Sequence, residues 1–202
     1  TTTAGTAPTQ PVCKTYTSSG PEVAINDNSV SLSNIAVADT FKVNGVTLTV
    51  NIRHTWDADL SGYLIGPNNT VVTLFDRRGG SGDDFTGSRF TDQAAMHISS
   101  GSAPFAGQFR PEAPLSALTG QSAAGTWQFK VADQAGGDIG AITSWNLELC
   151  SLPIASIIPT GYWTGTVPAG LEGNYQIDLR ATDNGNLTAN SQASWQGEID
   201  TL

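Results

Sequence analysis

GTWQFKVADQAGGDIGAITSWNLELC, residues 125–150, is the stretch on which the fold turns. Trp127, Phe129 and Val131 alternate with Gln128 and Lys130, and Trp145, Leu147 and Leu149 alternate with Asn146 and Glu148. An apolar residue at every second position is the period of a strand with one buried face. Between the two runs, Asp133 to Gly140 is made of residues that favour turns. The stretch therefore predicts two strands joined as a hairpin, with Trp127 and Trp145 in the core.

The same period extends outward. Val46, Leu48, Val50 and Ile52 share one face of a strand, with Thr47, Thr49 and Asn51 on the other. Leu64-Ile65 runs into Gly66-Pro67-Asn68-Asn69, and Val71 to Phe75 returns, which predicts a second hairpin. Residues 76–92, DRRGGSGDDFTGSRFTD, read as a long polar loop, and loops of that length in a compact domain are functional or ion-stabilised. Short strands with no helical period between them argue for an all-β fold, a sandwich or a jelly roll. Three regions follow: a Thr/Pro-rich linker at 1–12, a sandwich at 13–150, and a small β region at 151–202 that opens on the connector SLPIASIIPTG. The last region holds three to four strands, too few to bury a comfortable core alone. The chain reads as a piece of a longer secreted protein.

Composition narrows the function classes. Lys and Arg number 9 against 18 Asp and Glu, a net charge of −9. That balance repels a phosphate backbone and excludes the basic stripe of a nucleic-acid binder. No apolar run approaches the ~20 residues of a membrane span. The two cysteines, Cys13 and Cys150, have no metal-ligand spacing. They form either a disulfide closing nearly the whole sandwich region or two buried thiols. A disulfide would place the chain in an oxidising compartment, secreted or at a cell surface.

Five fragments carry a family resemblance: HTWDADL (54–60), GGSGDDF (79–85), SAPFAGQFRPEAPLSAL (102–118), GQSAAGTWQFKVAD (120–133) and DIGAITSWNLEL (138–149). In order and spacing, over residues 28–150, they resemble the P domain, or homo B domain, of subtilisin-like proprotein convertases and bacterial secreted proteases. Two positions depart from the usual pattern. Ala58 stands where Gly precedes Asp-Leu, and Asp84 stands where GDNF has Asn. The resemblance implies a jelly-roll module that packs against a catalytic domain, stabilises it and is not itself catalytic. The C-terminal part, through YQIDLRATDNGN (175–186) and GEIDTL (197–202), is similar to part of a bacterial immunoglobulin-like domain.

Ca²⁺ is the cofactor the acidic loops suggest, because it is a hard cation that takes oxygen ligands. Asp76, Asp83, Asp84 and Asp92 surround the 76–92 loop, and weaker candidates are Asp57 with Asp59 and Asp133 with Asp138. Asp as a plain turn former is the alternative at each position. No catalytic residue is expected. His54 lies in a motif that is structural in P domains, no GxSxG or HExxH occurs, and Glu112 is expected to pair with Arg110 or cap a turn. The function expected is an accessory domain of a secreted multidomain protein, whose partner is a neighbouring domain of the same polypeptide such as a protease domain. A carbohydrate- or protein-binding module of an adhesive surface protein is the alternative, and it would need exposed Trp or Tyr.

Overall fold

The computed structural model describes residues 11–152 in full, together with the backbone of four short strands, Gly173–Asp178, Ala181–Thr182, Thr188–Ala189 and Ser194–Ile199. Within residues 11–152 it is all-β. Ten strands run in chain order: β1 (Val12–Thr17), β2 (Val23–Ile25), β3 (Val30–Val37), β4 (Val43–Arg53), β5 (Leu60–Ile65), β6 (Val71–Asp76), β7 (Phe85–Phe90), β8 (Gly107–Phe109), β9 (Gly125–Asp133) and β10 (Gly140–Ser151). Single 3-10 turns at Asp57–Asp59, Ile98–Ser100 and Leu115–Leu118 punctuate them.

The strands form two sheets. One has the order β1-β10-β4-β7-β8, with β2 also pairing β10, and the other has the order β3-β9-β5-β6. All ladders are antiparallel except β7 with β8. The inner faces meet in one core. Trp127, Phe129 and Val131 of β9 and Trp145, Leu147 and Leu149 of β10 are completely buried. The predicted face of β4, from Val46 to Ile52, is buried as well. The Trp indoles find polar partners at the core margin: Trp127 Nε1 donates to the Ala123 carbonyl at 2.9 Å, and Trp145 Nε1 donates to Ser33 Oγ at 2.9 Å. A buried indole N–H without a partner would be costly.

Two expectations about connectivity need correction. The β5–β6 hairpin is present, pairing Ile65 with Val71. Strands β9 and β10, however, do not form a hairpin. Strand β9 lies between β3 and β5, whereas β10 lies between β1 and β4 in the opposite sheet. The turn at 134–139 crosses the sandwich instead of closing a ladder. Alternation fits both geometries, since each strand still buries one face, and the Phe129 and Trp145 rings meet across the core at 5.8 Å. The 76–92 segment is also not one loop. Asp76 ends β6, Phe85–Phe90 forms β7, pairing β4, and residues 77–84 and 91–92 remain loop.

Phe75, Phe85, Phe90, Phe105 and Phe109 form a run of ring contacts at the β6–β7–β8 end, with Phe75 and Phe85 centroids 4.3 Å apart and Phe85 and Phe105 4.7 Å apart. Rings at such separations add to the area they bury. They pack the core beneath the 77–84 loop.

Where β10 begins, space dictates the residue. A Cβ on Gly140 would strike the Arg53 carbonyl oxygen and lie 2.8 Å from His54 Cδ2. Backbone cannot swing aside as a side chain can, so Gly140→Ala is expected to destabilise by about 1–3 kcal/mol, the range for overpacking. A chemical-denaturation midpoint shift with unchanged slope would measure it; no shift would mean that β10 and the β4 end are not held this closely.

Beyond residue 158 the chain belongs to a second compact unit, made of residues 1–5 and 159–202. Its described backbone comprises β11 (Gly173–Asp178) paired antiparallel with β14 (Ser194–Ile199), and β12 (Ala181–Thr182) paired with β13 (Thr188–Ala189). The side chains of Trp163 and Trp195 lie outside the described residues.

Candidate functional site

Most of the acidic residues singled out from the sequence lie at one end of the sandwich, where β4 leaves its sheet and β5 begins; Asp92, beyond β7, lies away from it. The link between these strands, His54 to Asp59, crosses from one sheet to the other and carries its polar groups inward. His54, Asp57 and Asp59 are all buried, as is Asp133 at the end of β9.

His54 is fully engaged. Its Nε2 faces Asp133 Oδ2 at 3.2 Å, which makes Nε2 the donor, since a carboxylate only accepts. Its Nδ1 faces the Trp56 backbone, 3.0 Å from the carbonyl oxygen and 3.2 Å from the N–H. The remaining Asp133 oxygen, Oδ1, accepts from the Ala135 N–H at 3.0 Å. The pair thus ties the β4–β5 link to the turn after β9. Asp59 lies beside it. Burial raises its pKa, helped by the negative charge of Asp133 and opposed by His54.

Asp57 has a different environment. Its side chain is completely buried, and neither carboxylate oxygen has a hydrogen-bond partner. The 77–84 loop wraps it. The Asp57 N–H donates to the Gly82 carbonyl at 2.9 Å and the Ala58 N–H to the Gly80 carbonyl at 3.1 Å. A Cβ on Gly79 would lie 2.8 Å from both Asp57 Cβ and Phe105, so a glycine is needed for the loop to close over the carboxylate, and its φ of 99° adds to that need. Asp84 closes the loop at φ 74°, with its Oδ1 accepting from the His54 N–H at 2.9 Å. Burial first, then the charges of Asp84 and Asp83, push the Asp57 pKa up to about 7. The Asp84 N–H opposes the shift, but it is itself donated to the His54 carbonyl at 3.1 Å. Among the described residues no basic side chain pairs with Asp57.

The other acidic candidates have protein partners. Asp92 accepts from the Leu115 and Ser116 N–H groups, both at 2.8 Å, and so anchors the 3-10 turn that opens there. Asp76 accepts from the Ser61 hydroxyl, and Asp138 from the Thr55 hydroxyl at 2.7 Å. Among the described residues no three His, Cys, Asp or Glu side chains converge on one point. The structure thus brings Asp57 near Asp83 and Asp84, a grouping that spacing does not reveal, because β5 and β6 separate the two segments in sequence. Glu112 pairs with Arg78 at 2.6 Å, not with Arg110, because the 77–84 loop brings Arg78 over it.

Cys13 and Cys150 form a disulfide. They face each other in the β1–β10 ladder, so the bond pins an edge strand whose side chains are mostly exposed. Trp127 and Trp145 are core residues and offer no platform to a sugar, while Trp56 is 44% exposed.

Comparison with known proteins agrees with this architecture. The family model of the proprotein convertase P-domain matches residues 43–149. A calcium-dependent protease of Trichormus variabilis is 32% identical over 145 residues, covering 70% of this chain and 19% of that protein. Leupeptin-inactivating enzyme 1 of Streptomyces exfoliatus is 29% identical over 120 residues, covering 55% of this chain and 22% of that protein. Among solved structures, a serine protease of Aeromonas sobria aligns with a TM-score of 0.45 at 20% identity, over 69% of this chain and 26% of that one. The chain therefore spans about a fifth of the length of the curated relatives it matches.

Proposed function

The chain belongs to the proprotein convertase P-domain family, and on that premise we propose that it is a non-catalytic accessory domain of a secreted, multidomain polypeptide. In this role it docks on and stabilises a neighbouring domain, and a protease domain is the neighbour its relatives suggest. The observation that carries the reading is the match itself: this chain has a P domain, and it corresponds to about a fifth of a relative named as a calcium-dependent protease. The site chemistry supports the non-catalytic part. His54, the one buried histidine among the described residues, spends both ring nitrogens on Asp133 and the Trp56 backbone.

The Cys13–Cys150 disulfide supports an oxidising compartment. No helix among the described residues is long and apolar enough to cross a membrane. Ca²⁺ is the structural cofactor of the proposal, supported by the name of the Trichormus relative and by an acidic loop whose buried carboxylate has no partner. The linker at 1–12, the sandwich at 13–150 and the β region at 151–202 are the working domain boundaries.

The test is to express the polypeptide that carries this chain with and without residues 13–150. The proposal expects the remainder to lose soluble yield and melt at lower temperature. A remainder that secretes and melts as before would overturn it.

A further inference from the structure

The geometry points to a single Ca²⁺ site at the β4–β5 end of the sandwich, with the buried Asp57 carboxylate as its central ligand and Asp84 or Asp83 as the second. This deepens the calcium part of the proposed function and rests on it. It concerns a position that loop composition alone does not single out.

Three observations carry it. First, both Asp57 oxygens are buried without a hydrogen-bond partner, the Asp84 N–H being spent on the His54 carbonyl, which native structures seldom tolerate for a carboxylate. Second, the nearest charges are two further carboxylates, and among the described residues no Lys, Arg or His pairs with Asp57. Burying a charge beside like charges without compensation is the arrangement proteins avoid unless a cation is coordinated. Third, the enclosing segment is backbone-rich and shaped for close approach. Gly79 lies against the carboxylate, where an added Cβ would come within 3.3 Å of Asp57 Oδ2 and 2.8 Å of Phe105, while the Gly80 and Gly82 carbonyls hold the Ala58 and Asp57 N–H groups.

The donor set selects the ion class. The side chains on offer are all carboxylates, Asp57 with Asp83 and Asp84, and the loop around them adds only backbone oxygen. A hard divalent cation is the match, and zinc or copper, which favour nitrogen and sulfur, are not. Ca²⁺ takes six to eight oxygens in flexible geometry, which suits two carboxylates filled out by carbonyls and water. With fewer than three carboxylates, affinity sits toward the weak, extracellular end of the Ca²⁺ range, about 10⁻⁴–10⁻³ M.

The experiment uses the whole 202-residue chain, melted in chelator and in a CaCl₂ series. Ca²⁺ at about one hundred times Kd is expected to raise Tm by roughly 8 °C. Asp57→Asn keeps the shape and removes the charge, and it is expected to abolish most of the rise; Asp84→Asn, which retains the oxygen facing the His54 N–H, is expected to reduce it. Asp27→Asn, a charge-matched change on the surface, is expected to leave the rise intact. Tb³⁺ bound at the site would lie beside Trp56, so tryptophan-sensitised Tb³⁺ emission that Ca²⁺ competes away provides a readout on the unmutated chain. A Ca²⁺ rise of equal size in Asp57→Asn would overturn this site while leaving Ca²⁺ as cofactor. No rise in the unmutated chain would overturn both, and neither outcome touches the docking role, which the deletion of residues 13–150 tests separately.

Discussion

Replacing both cysteines, Cys13→Ser with Cys150→Ser, is expected to lower stability by about 4–5 kcal/mol. The bond joins residues 137 apart, and the chain-entropy relation for a loop of that length predicts about 5 kcal/mol from constraint of the unfolded chain. The native side adds a local term. Strand β1 is an edge strand with five of its six residues exposed, so few apolar contacts hold it once the bond is gone. Beyond its backbone ladder to β10, its side-chain tether is the contact of Lys14 and Tyr16 with Asp39, at 2.6 Å each, and that contact is exposed or only half-buried. Exposed ion pairs contribute little. The double variant should therefore melt roughly 10–20 °C lower, with β1 amides losing hydrogen-exchange protection first. A loss below about 1 kcal/mol would mean that the unfolded chain is already compact enough for the bond to be redundant.

The second large effect lies in the buried His54–Asp133 pair. Asp133→Ala removes the acceptor facing Nε2 and also the oxygen that holds the Ala135 N–H. Both groups sit out of water, and each buried donor left without its acceptor costs about 1–3 kcal/mol. Asp133→Asn keeps an acceptor in place and is expected to cost about 1–2 kcal/mol, the order of one buried hydrogen bond. In a double-mutant cycle with His54→Gln, the combined loss should fall well short of the sum, since the partners share one interaction. Additive losses would mean that the two side chains act independently, and the account of how the β4–β5 link is fastened would fail.

What the sequence disclosed was mainly periodicity. Strands β4, β9 and β10 carry apolar residues on one face and were legible for that reason, while β6 was legible as an apolar run returning from a turn. Strand β3 was not. Its apolar residues change sides, with Val30 and Leu32 exposed and Ile35 and Val37 buried, because Ser31 and Ser33 turn inward to hydrogen-bond the Ala24 carbonyl and the Trp145 indole. Strand β7 hid for a related reason. Phe85 and Phe90 are both buried although five residues apart, and the ladder to β4 absorbs the mismatch in a register shift between Val50 and Ile52. Sheet membership was beyond reach for β9 and β10, since alternation records which face is buried and not which strand lies alongside.

The site shows the same divide. The two cysteines and the tryptophan core could be listed from the chain, and the family could be recognised from five fragments in order. The special standing of Asp57 could not. In HTWDADL it reads, with Asp59, as a weaker Ca²⁺ candidate or a turn former, and only the folded chain shows that it is buried, unpartnered and set beside Asp83 and Asp84. The one sequence hint was Asp84 itself, an extra carboxylate where the P-domain pattern has Asn.

The central claim is that this sandwich serves a neighbour to which it is joined. Differential scanning calorimetry of the intact polypeptide, compared with this chain and the remainder produced separately, tests it most directly. The account predicts that the neighbouring domain melts several degrees higher when joined, in a transition that shifts together with the sandwich when Cys13 and Cys150 are replaced. Two transitions at the temperatures of the separate pieces, with the neighbour indifferent to the cysteine changes, would contradict it.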